Sequence, residues 1–272
     1  MKSFKDKVAV VTGAGSGIGQ ALALALAKAG AQLAISDINA KNVAETAAQC
    51  SALGAKVKHY QLDVGSREAI YAHAEAVVKE FGRVNLVINN AGVAVSATVR
   101  ELSDEDFEWL MNINFWGVIH GTRAFLPHLT ASGDGHVVNV SSIFGMIGVP
   151  KQSAYNAAKF GVRGFTESLR QEMANEGAPV GVSCVHPGGV KTNIAASARK
   201  GASDANRDLG AMFEKIAKTT PAKAADVILK GVLRNESRIF IGADAKAFDF
   251  MQRLLGSSYQ KIIGPAYERG VK

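Results

Sequence analysis

The chain has 272 residues, of which 47% are hydrophobic, 20% charged and 7% aromatic, which excludes a disordered chain and allows a full-sized core. Its two cysteines, Cys50 and Cys184, cannot build a disulfide framework, and no Cys or His pair has zinc-ligand spacing. The formal net charge is +7, and the excess lies after residue 190 as singly spaced basic residues rather than a dense run. These features predict a cytoplasmic protein with no bound metal and no nucleic-acid partner.

The start of the chain combines basic residues with an uncharged apolar stretch, a pattern shared with membrane anchors. Lys2, Lys5 and Lys7 precede it, and no charged residue occurs between Val8 and Ala27. The glycines within residues 13–19 would break a membrane-spanning helix into strand, turn and helix. We therefore predict no membrane span.

Short β-branched runs alternate with longer helical patterns along the chain. Strands are predicted at Val8–Thr12, Gln32–Ser36, Val57–Gln61, Leu86–Asn89, His136–Ser141, Val180–His186 and Arg238–Ile241. Helices are predicted near residues 18–29, 40–53, 66–81, 103–129, 152–176 and 221–234. This alternation predicts an α/β fold, a doubly wound parallel sheet of the Rossmann type, with about seven strands and helices on both faces.

No linker or repeat divides the chain, so we expect one domain over residues 1–272. Within it, residues 190–215 are expected to form a substrate loop or lid, and residues 244–272 a C-terminal extension. Phe248, Met251 and Leu255 recur at helical spacing in that extension. We interpret this stripe as core or oligomer packing rather than as a membrane-surface contact.

A glycine-rich turn follows the first predicted strand and opens the first predicted helix. It contains Gly13, Gly15, Gly17 and Gly19. Glycines let the backbone approach a pyrophosphate closely, and the start of a helix offers free N–H groups. The spacing alone is consistent with a dinucleotide site or with an ordinary glycine turn.

Acidic residues end the second and third predicted strands. Asp37 could accept hydrogen bonds from ribose hydroxyls and repel a 2′-phosphate, and no Lys or Arg occupies Ser16, Ile38 or Asn39. This pattern favours NAD over NADP, while the alternative is that Asp37 only caps the next helix. Asp63 could similarly meet the edge of an adenine.

One tyrosine has a lysine four residues later. Tyr155 and Lys159 share a helix face at that spacing, and a nearby ammonium would lower the pKa of the phenol toward neutrality. An isolated pair of this kind is also common on solvated surfaces. Ser142 lies just past the fifth strand and Asn114 within the preceding helix, so a doubly wound sheet would bring both to the ligand crevice.

Together these residues resemble the short-chain dehydrogenase/reductase family in its single-domain form. The resemblance covers roughly residues 5–242 and depends on the order and spacing of its motifs. Those motifs are TGAGSGIG at 12–19, NNAG at 89–92, Asn114, Ser142, Tyr155-x3-Lys159 and Pro187-Gly188.

The resemblance implies a role for each of these residues. Tyr155 would exchange the proton of the substrate alcohol, Ser142 would hold its oxygen, Lys159 would hold the nicotinamide ribose, and Asn114 would orient a water. Thr192 would bind the carboxamide. The implied cofactor-binding residues are Gly13, Ser16, Gly17, Ile18, Gly19, Asp37, Asp63, Val64, Asn90, Ala91, Gly92, Tyr155, Lys159, Pro187, Gly188, Val190 and Thr192. The implied substrate contacts are Ser142, Ile143, Phe144 and Tyr155.

The predicted function is the interconversion of a secondary alcohol and a ketone by hydride transfer to or from NAD. The pocket positions are mostly apolar, which favours a hydrophobic or neutral substrate. The resemblance also implies a homodimer or homotetramer, formed through the helices at 109–125 and 155–169. The alternatives are an NADPH-dependent carbonyl reductase and a non-catalytic, dinucleotide-sensing regulator. His186, at a strand end, is interpreted as structural.

Overall fold

The computed structural model describes residues 1–271, with side chains described as far as residue 265. In that part of the chain the strands are β1 (Val8–Thr12), β2 (Gln32–Asp37), β3 (Val57–Gln61), β4 (Leu86–Asn89), β5 (Val95–Ser96), β6 (Gly135–Val140), β7 (Val180–Pro187), β8 (Arg199–Lys200) and β9 (Arg238–Ile241). Seven of them form a parallel sheet in the order β3-β2-β1-β4-β6-β7-β9, and β5 pairs with β8. The strand order reverses between β1 and β4, which opens a ligand crevice at their carboxyl ends.

Helices cover both faces of this sheet, as predicted for a doubly wound fold. They are α1 (Gly17–Lys28), α2 (Ala40–Ala52), α3 (Arg67–Phe81), α4 (Asp104–Met111), α5 (Gly117–Ala131), α6 (Ser153–Asn175), α7 (Leu209–Ile216), α8 (Pro221–Leu233), α9 (Ala243–Leu255) and α10 (Gln260–Val271). No helix of the described chain is long and apolar enough to cross a membrane.

Two apolar layers hold the sheet between its helices. Leu22, Val43 and Ile228 of α1, α2 and α8 pack on one face and are fully buried. On the other face, Val77 of α3 and Phe125 of α5 pack against the sheet and are buried. The central strands β1, β4 and β6 are buried between these helix layers, which explains their apolar runs, whereas the edge strand β3 is largely exposed.

Two helix predictions need correction. The single helix expected over 103–129 is interrupted by a π-helical turn at Asn112–Trp116, which separates α4 from α5. The polar, alanine-rich stretch 190–215 predicts a loop, whereas the structure has helix α7 at its end. No residue of α7 is buried, so this helix contributes little to the core.

Candidate active site

The loop between β1 and α1 is built tightly from glycines. Gly13 and Gly17 have positive φ angles of 65° and 54°, which other residues rarely adopt. A Cβ at Gly19 would collide with the carbonyl oxygen of Gly13. The Asn90 amide, from the neighbouring strand, donates to the carbonyl oxygens of Thr12 and Gly13 at 2.9 and 3.3 Å. The glycine conformations and the Asn90 hydrogen bonds thus fix the shape of this loop.

Helix α1 begins with backbone N–H groups that no capping side chain satisfies. Its N-cap residue, Ser16, is exposed and makes no side-chain capping bond, and the first turn carries no acidic residue. Gly17, Ile18 and Gly19 form that turn. Free N–H groups and the positive end of the helix dipole favour an anion. This end of α1 is therefore suited to a phosphate group.

The Asp37 carboxylate lies beside the glycine loop at the end of β2. One oxygen accepts from the Gly15 backbone N–H and the other from the Asn39 N–H, each at 2.9 Å. The cap of α2 is Asn39, whose side chain accepts from the Asn42 N–H at 3.0 Å. The alternative interpretation of Asp37 as the helix cap is therefore wrong, and its charge is held at the loop.

A hydroxyl that the sequence analysis missed joins the glycine loop to the turn after β4. Thr12 Oγ1 accepts from the N–H groups of Asn90 and Ala91 at 3.0 and 3.1 Å. A Cβ at Gly13 would lie 2.8 Å from the Cα of Ala91, so the two turns are in contact. In the sequence Thr12 is marked only by its position before the glycine run, and threonine is too common in strands to single out.

The residues after β3 lie at the same carboxyl edge of the sheet. Asp63 is exposed, and its Oδ1 accepts from the Gly65 N–H at 2.8 Å. Val64 is half-buried, and a Cβ at Gly117 would lie 2.9 Å from its carbonyl oxygen. The Asp63 side chain therefore shapes its own turn and keeps its other oxygen available.

Lys159 is buried in α6, and its amine lies near two other candidate residues. Nζ donates to the Val140 carbonyl oxygen, at the end of β6, at 3.0 Å. A Cβ on Gly92 would lie 3.7 Å from that amine and 3.2 Å from the amide oxygen of Asn114. Burial lowers the pKa of Lys159 to about 8. Such an amine can take up or release a proton near neutral pH.

Asn114 occupies the π-helical turn between α4 and α5 and is fully buried. Its amide oxygen accepts from the Val93 N–H, and its amide nitrogen donates to the Val93 carbonyl oxygen, both at 2.8 Å. Turns of this type occur often at functional sites. The Asn114 side chain therefore holds the turn after β4 beside the Lys159 amine.

Tyr155 and Ser142 meet at the same end of the sheet. The Lys159 amine lies 5.5 Å from the centre of the Tyr155 ring. Burial raises the pKa of Tyr155 to about 12, and a side-chain hydrogen bond with Ser142 opposes the rise. The expectation that Lys159 brings this pKa toward neutrality is wrong for the chain alone. Burial disfavours the phenolate, and the amine is itself desolvated and directed at Val140.

The segment after Ser142 forms an apolar wall next to Tyr155. Ser142 Oγ accepts from the Phe144 N–H at 3.1 Å and begins a 3₁₀ turn over Ile143–Gly145. The rings of Phe144 and Tyr155 meet edge to face, with centroids 6.1 Å apart. Asn156, which the sequence analysis missed, donates to the Phe144 carbonyl oxygen at 2.7 Å. The candidate substrate contacts are thus brought together on one side of the tyrosine.

The loop after β7 approaches the glycine loop. Pro187 ends the strand, and the Gly188 N–H donates to the last residue of β9 at 2.9 Å. Val190 is buried. A Cβ at Gly17 would lie 3.1 Å from the methyl carbon of Thr192. Thr192 therefore lies against the start of α1.

Two buried residues of β7 have structural surroundings. His186 is stacked on Phe240 with centroids 5.5 Å apart, and its Nδ1 lies 3.1 Å from the Ser142 carbonyl oxygen. Burial lowers the pKa of His186 to about 4 and raises that of the Cys184 thiol to about 12. Both are uncharged near neutral pH. His186 supports the backbone of Ser142.

The segment 190–215 is tied to strand β5 and to Lys151, just before α6, through a buried carboxylate. Asp204 is 1% exposed and accepts hydrogen bonds from Ser96 Oγ and Lys151 Nζ, each at 2.7 Å. Although burial opposes it, these hydrogen bonds hold the pKa of Asp204 below its usual range. Nothing in the sequence indicates this anchor, since an aspartate in a polar stretch is normally solvated.

The model of the short chain dehydrogenase family matches residues 7–203. The chain belongs to this family. The family resemblance stated from the motifs is confirmed, and so is the enzyme class, an oxidoreductase that acts on CH–OH groups. Members of the family use NAD(P).

Relatives cover nearly the whole chain. A Mycobacterium tuberculosis protein named as an oxidoreductase, SadH, is 52% identical over 264 residues, which span 97% of this chain and 96% of the relative. Human estradiol 17-beta-dehydrogenase 11 is 32% identical over 96% of this chain and 83% of its own length. A short chain dehydrogenase/reductase from Burkholderia phymatum, solved in complex with NAD, matches with a TM-score of 0.86 at 31% identity, covering 94% of this chain and 95% of that one.

Proposed function

We propose that this short-chain dehydrogenase interconverts a secondary alcohol and a ketone, with NAD as the hydride acceptor or donor. The observation that carries the proposal is the meeting of Tyr155, Ser142 and Lys159 beside the crevice between β1 and β4. A phenol, a hydroxyl donor and a buried amine together can move a proton to or from a substrate oxygen. A protein that only senses dinucleotides has no use for this combination.

The surrounding backbone fits a dinucleotide. The glycine loop and the uncapped start of α1 suit the pyrophosphate, and Asp37 suits the adenosine ribose. Lys159 and Thr192 would hold the nicotinamide end. When bound, NAD supplies a hydride-accepting ring that carries a positive charge. The turn 89–92, fixed by Thr12, would pack against the cofactor.

Within this site, side chains of the protein transfer the hydroxyl proton of the substrate. Tyr155 takes the hydroxyl proton of the alcohol, and Ser142 donates a hydrogen bond to the substrate oxygen, where negative charge develops. Lys159, with a pKa of about 8, exchanges protons near neutral pH, and Asn114 orients a water that leads to solvent. Ketone reduction follows the same path in reverse.

Apolar surroundings support a hydrophobic or neutral substrate. Ile143, Phe144 and Met146 form the wall beside Tyr155, and Ile143 and Met146 are buried. The human relative is named for estradiol, a substrate of that character. We extend this character, not the identity of the substrate, to the present chain.

The test is alcohol-dependent reduction of NAD and of NADP by the purified protein at alkaline pH, over a panel of apolar, polar and anionic alcohols. We expect turnover with an apolar secondary alcohol and a preference for NAD. Tighter binding and faster turnover with NADP would replace the proposal with an NADPH-dependent reductase. NAD binding without turnover of any alcohol or ketone would favour a sensor.

The Asp37→Asn variant tests the basis of the NAD preference. It removes the charge that repels a 2′-phosphate and keeps one oxygen to accept a hydrogen bond. The ratio of the NADP and NAD dissociation constants should fall by about tenfold or more, since like charges in contact cost a kcal/mol or more. Glu45→Gln on α2, exposed and equally charged, is the matched control. An unchanged ratio in Asp37→Asn would contradict the assignment.

Self-association is supported by exposed aromatic side chains at the end of the π-helical turn before α5 and on α6. Trp116 is 45% exposed and Phe160 41% exposed, and burial of this apolar surface against a second copy would favour association. We expect light scattering to give the mass of a dimer or tetramer, and Phe160→Asp to lower it. A wild-type monomer at micromolar concentration would contradict this expectation.

A further inference from the structure

The segment from Ala243 to Tyr259 follows the last strand and lies outside the residues that the family model matches. It contains α9 and the turn that leads to α10. Ala245 of this segment is fully buried against Ile143 and Met146, which belong to the wall after Ser142. This segment, here called the brace, therefore packs against the candidate active site.

At one end of the brace a carboxylate holds the loop 187–192. Asp244 Oδ2 accepts from the Gly189 backbone N–H at 2.7 Å. A Cβ at Gly188 or at Gly242 would collide with the same carboxylate. The Asp244 carboxylate therefore fits here only because both positions are glycine. The loop held in this way continues to Thr192, which faces Gly17 at the start of α1.

At the other end a phenol holds the wall after Ser142. Tyr259 is 8% exposed, and its hydroxyl accepts from the Gly148 backbone N–H at 2.8 Å. Asn156 of α6 binds the next residue of that segment, since its amide oxygen accepts from the Val149 N–H at 3.0 Å. The wall is thus held from α6 on one side and from the brace on the other.

We propose that the brace positions both walls of the active site, with Asp244 acting on the cofactor loop 187–192 and Tyr259 acting on the substrate wall 143–149. Both are positioning residues, since they act through backbone that faces the ligands. The part of the inference that concerns ligands rests on the proposed function. The two contacts themselves are independent of it.

The first arm of the test replaces Asp244. Asp244→Ala should weaken NAD binding, measured by fluorescence titration, by about tenfold, which corresponds to loss of a hydrogen bond to a charged group. Asp244→Asn keeps an acceptor for the Gly189 N–H and should restore most of the affinity. Lys246→Ala, exposed on the same helix, should bind NAD as the wild type does. Equal affinity in Asp244→Ala and the wild type would overturn this half of the proposal.

The second arm replaces Tyr259 by phenylalanine, which removes only the hydroxyl. Hydrogen exchange should accelerate about fivefold in residues 143–149 and stay unchanged in 187–192, while Asp244→Ala should show the opposite pattern. The KM for the best alcohol of the panel should rise in Tyr259→Phe, with NAD affinity unchanged. Equal acceleration of both segments in either variant would overturn separate positioning and indicate general loosening.

The two proposals fail in different ways. A wild-type protein that binds no NAD contradicts the proposed function, yet the exchange pattern still decides whether the brace holds the two segments. A wild type that binds NAD and turns over an alcohol, together with variants that match it in every measurement, contradicts the brace alone. Melting temperatures of all variants identify any that fail to fold.

Discussion

Replacing Tyr155 by phenylalanine is expected to reduce turnover by about 1,000-fold while NAD affinity stays within about twofold of the wild type. The change removes only the hydroxyl that exchanges the substrate proton, and the ring keeps its edge-to-face contact with Phe144. The measurement pairs steady-state turnover of the best alcohol with fluorescence titration of NAD. A matched control is Tyr71→Phe, which removes a hydroxyl from α3.

This variant also tests whether Tyr155 is the group that transfers the proton. Burial raises the pKa of Tyr155 to about 12 in the chain alone, and we expect bound ligands to lower it and so favour the phenolate. A Tyr155→Phe protein that keeps more than about a tenth of wild-type turnover would show that another group transfers the proton. The proposal for this site would then have to be abandoned.

The residues predicted to form the cofactor side of the site have local signals in the sequence. The glycines of the loop 13–19, Asp37 and the NNAG turn each lie directly after a strand, and parallel strands bring such ends to one edge. Gly15 and Asp37 are 22 positions apart, but they follow or end the paired parallel strands β1 and β2, which brings the Asp37 carboxylate to the Gly15 N–H. Strand boundaries agree to within two residues for the same reason.

What was missed depends on contacts between distant residues. The π-helical turn is accompanied by paired hydrogen bonds between Asn114 and Val93, which nothing in the helical pattern near Asn114 reveals. Asp244 meets Gly189 across 55 positions and Tyr259 meets Gly148 across 111. The raised pKa of Tyr155 was missed likewise, because spacing to a lysine says nothing about burial.

Acidification should destabilise this protein strongly, because three buried histidines are held neutral in the fold. Burial lowers the pKa of His73 to about 4, of His136 to about 3 and of His186 to about 4, against about 6.5 in an unfolded chain. His73 packs between Tyr60 and Phe125, and neither of its ring nitrogens has a hydrogen-bond partner in the described chain.

The sign follows from proton uptake. Above about pH 6.5 the histidines are neutral in both states and cost nothing, whereas below it the unfolded chain binds protons that the fold excludes. Stability is therefore lost as the pH falls from about 6.5 and levels off near 3 to 4. Between pH 7 and pH 5 the three residues together should cost about 5 kcal/mol, which is comparable with the total stability of many domains.

Urea unfolding at pH 7 and pH 5 measures this difference, and a single substitution isolates one contribution. His73→Leu fills the same apolar site without a titratable group and should reduce the loss of unfolding free energy between the two pH values by about a third. His59→Gln on β3 is the control, since His59 is exposed and its substitution should leave the loss unchanged. A loss that is the same in His73→Leu and in the wild type would show that this histidine is already charged in the fold, and its burial between Tyr60 and Phe125 would then need another explanation.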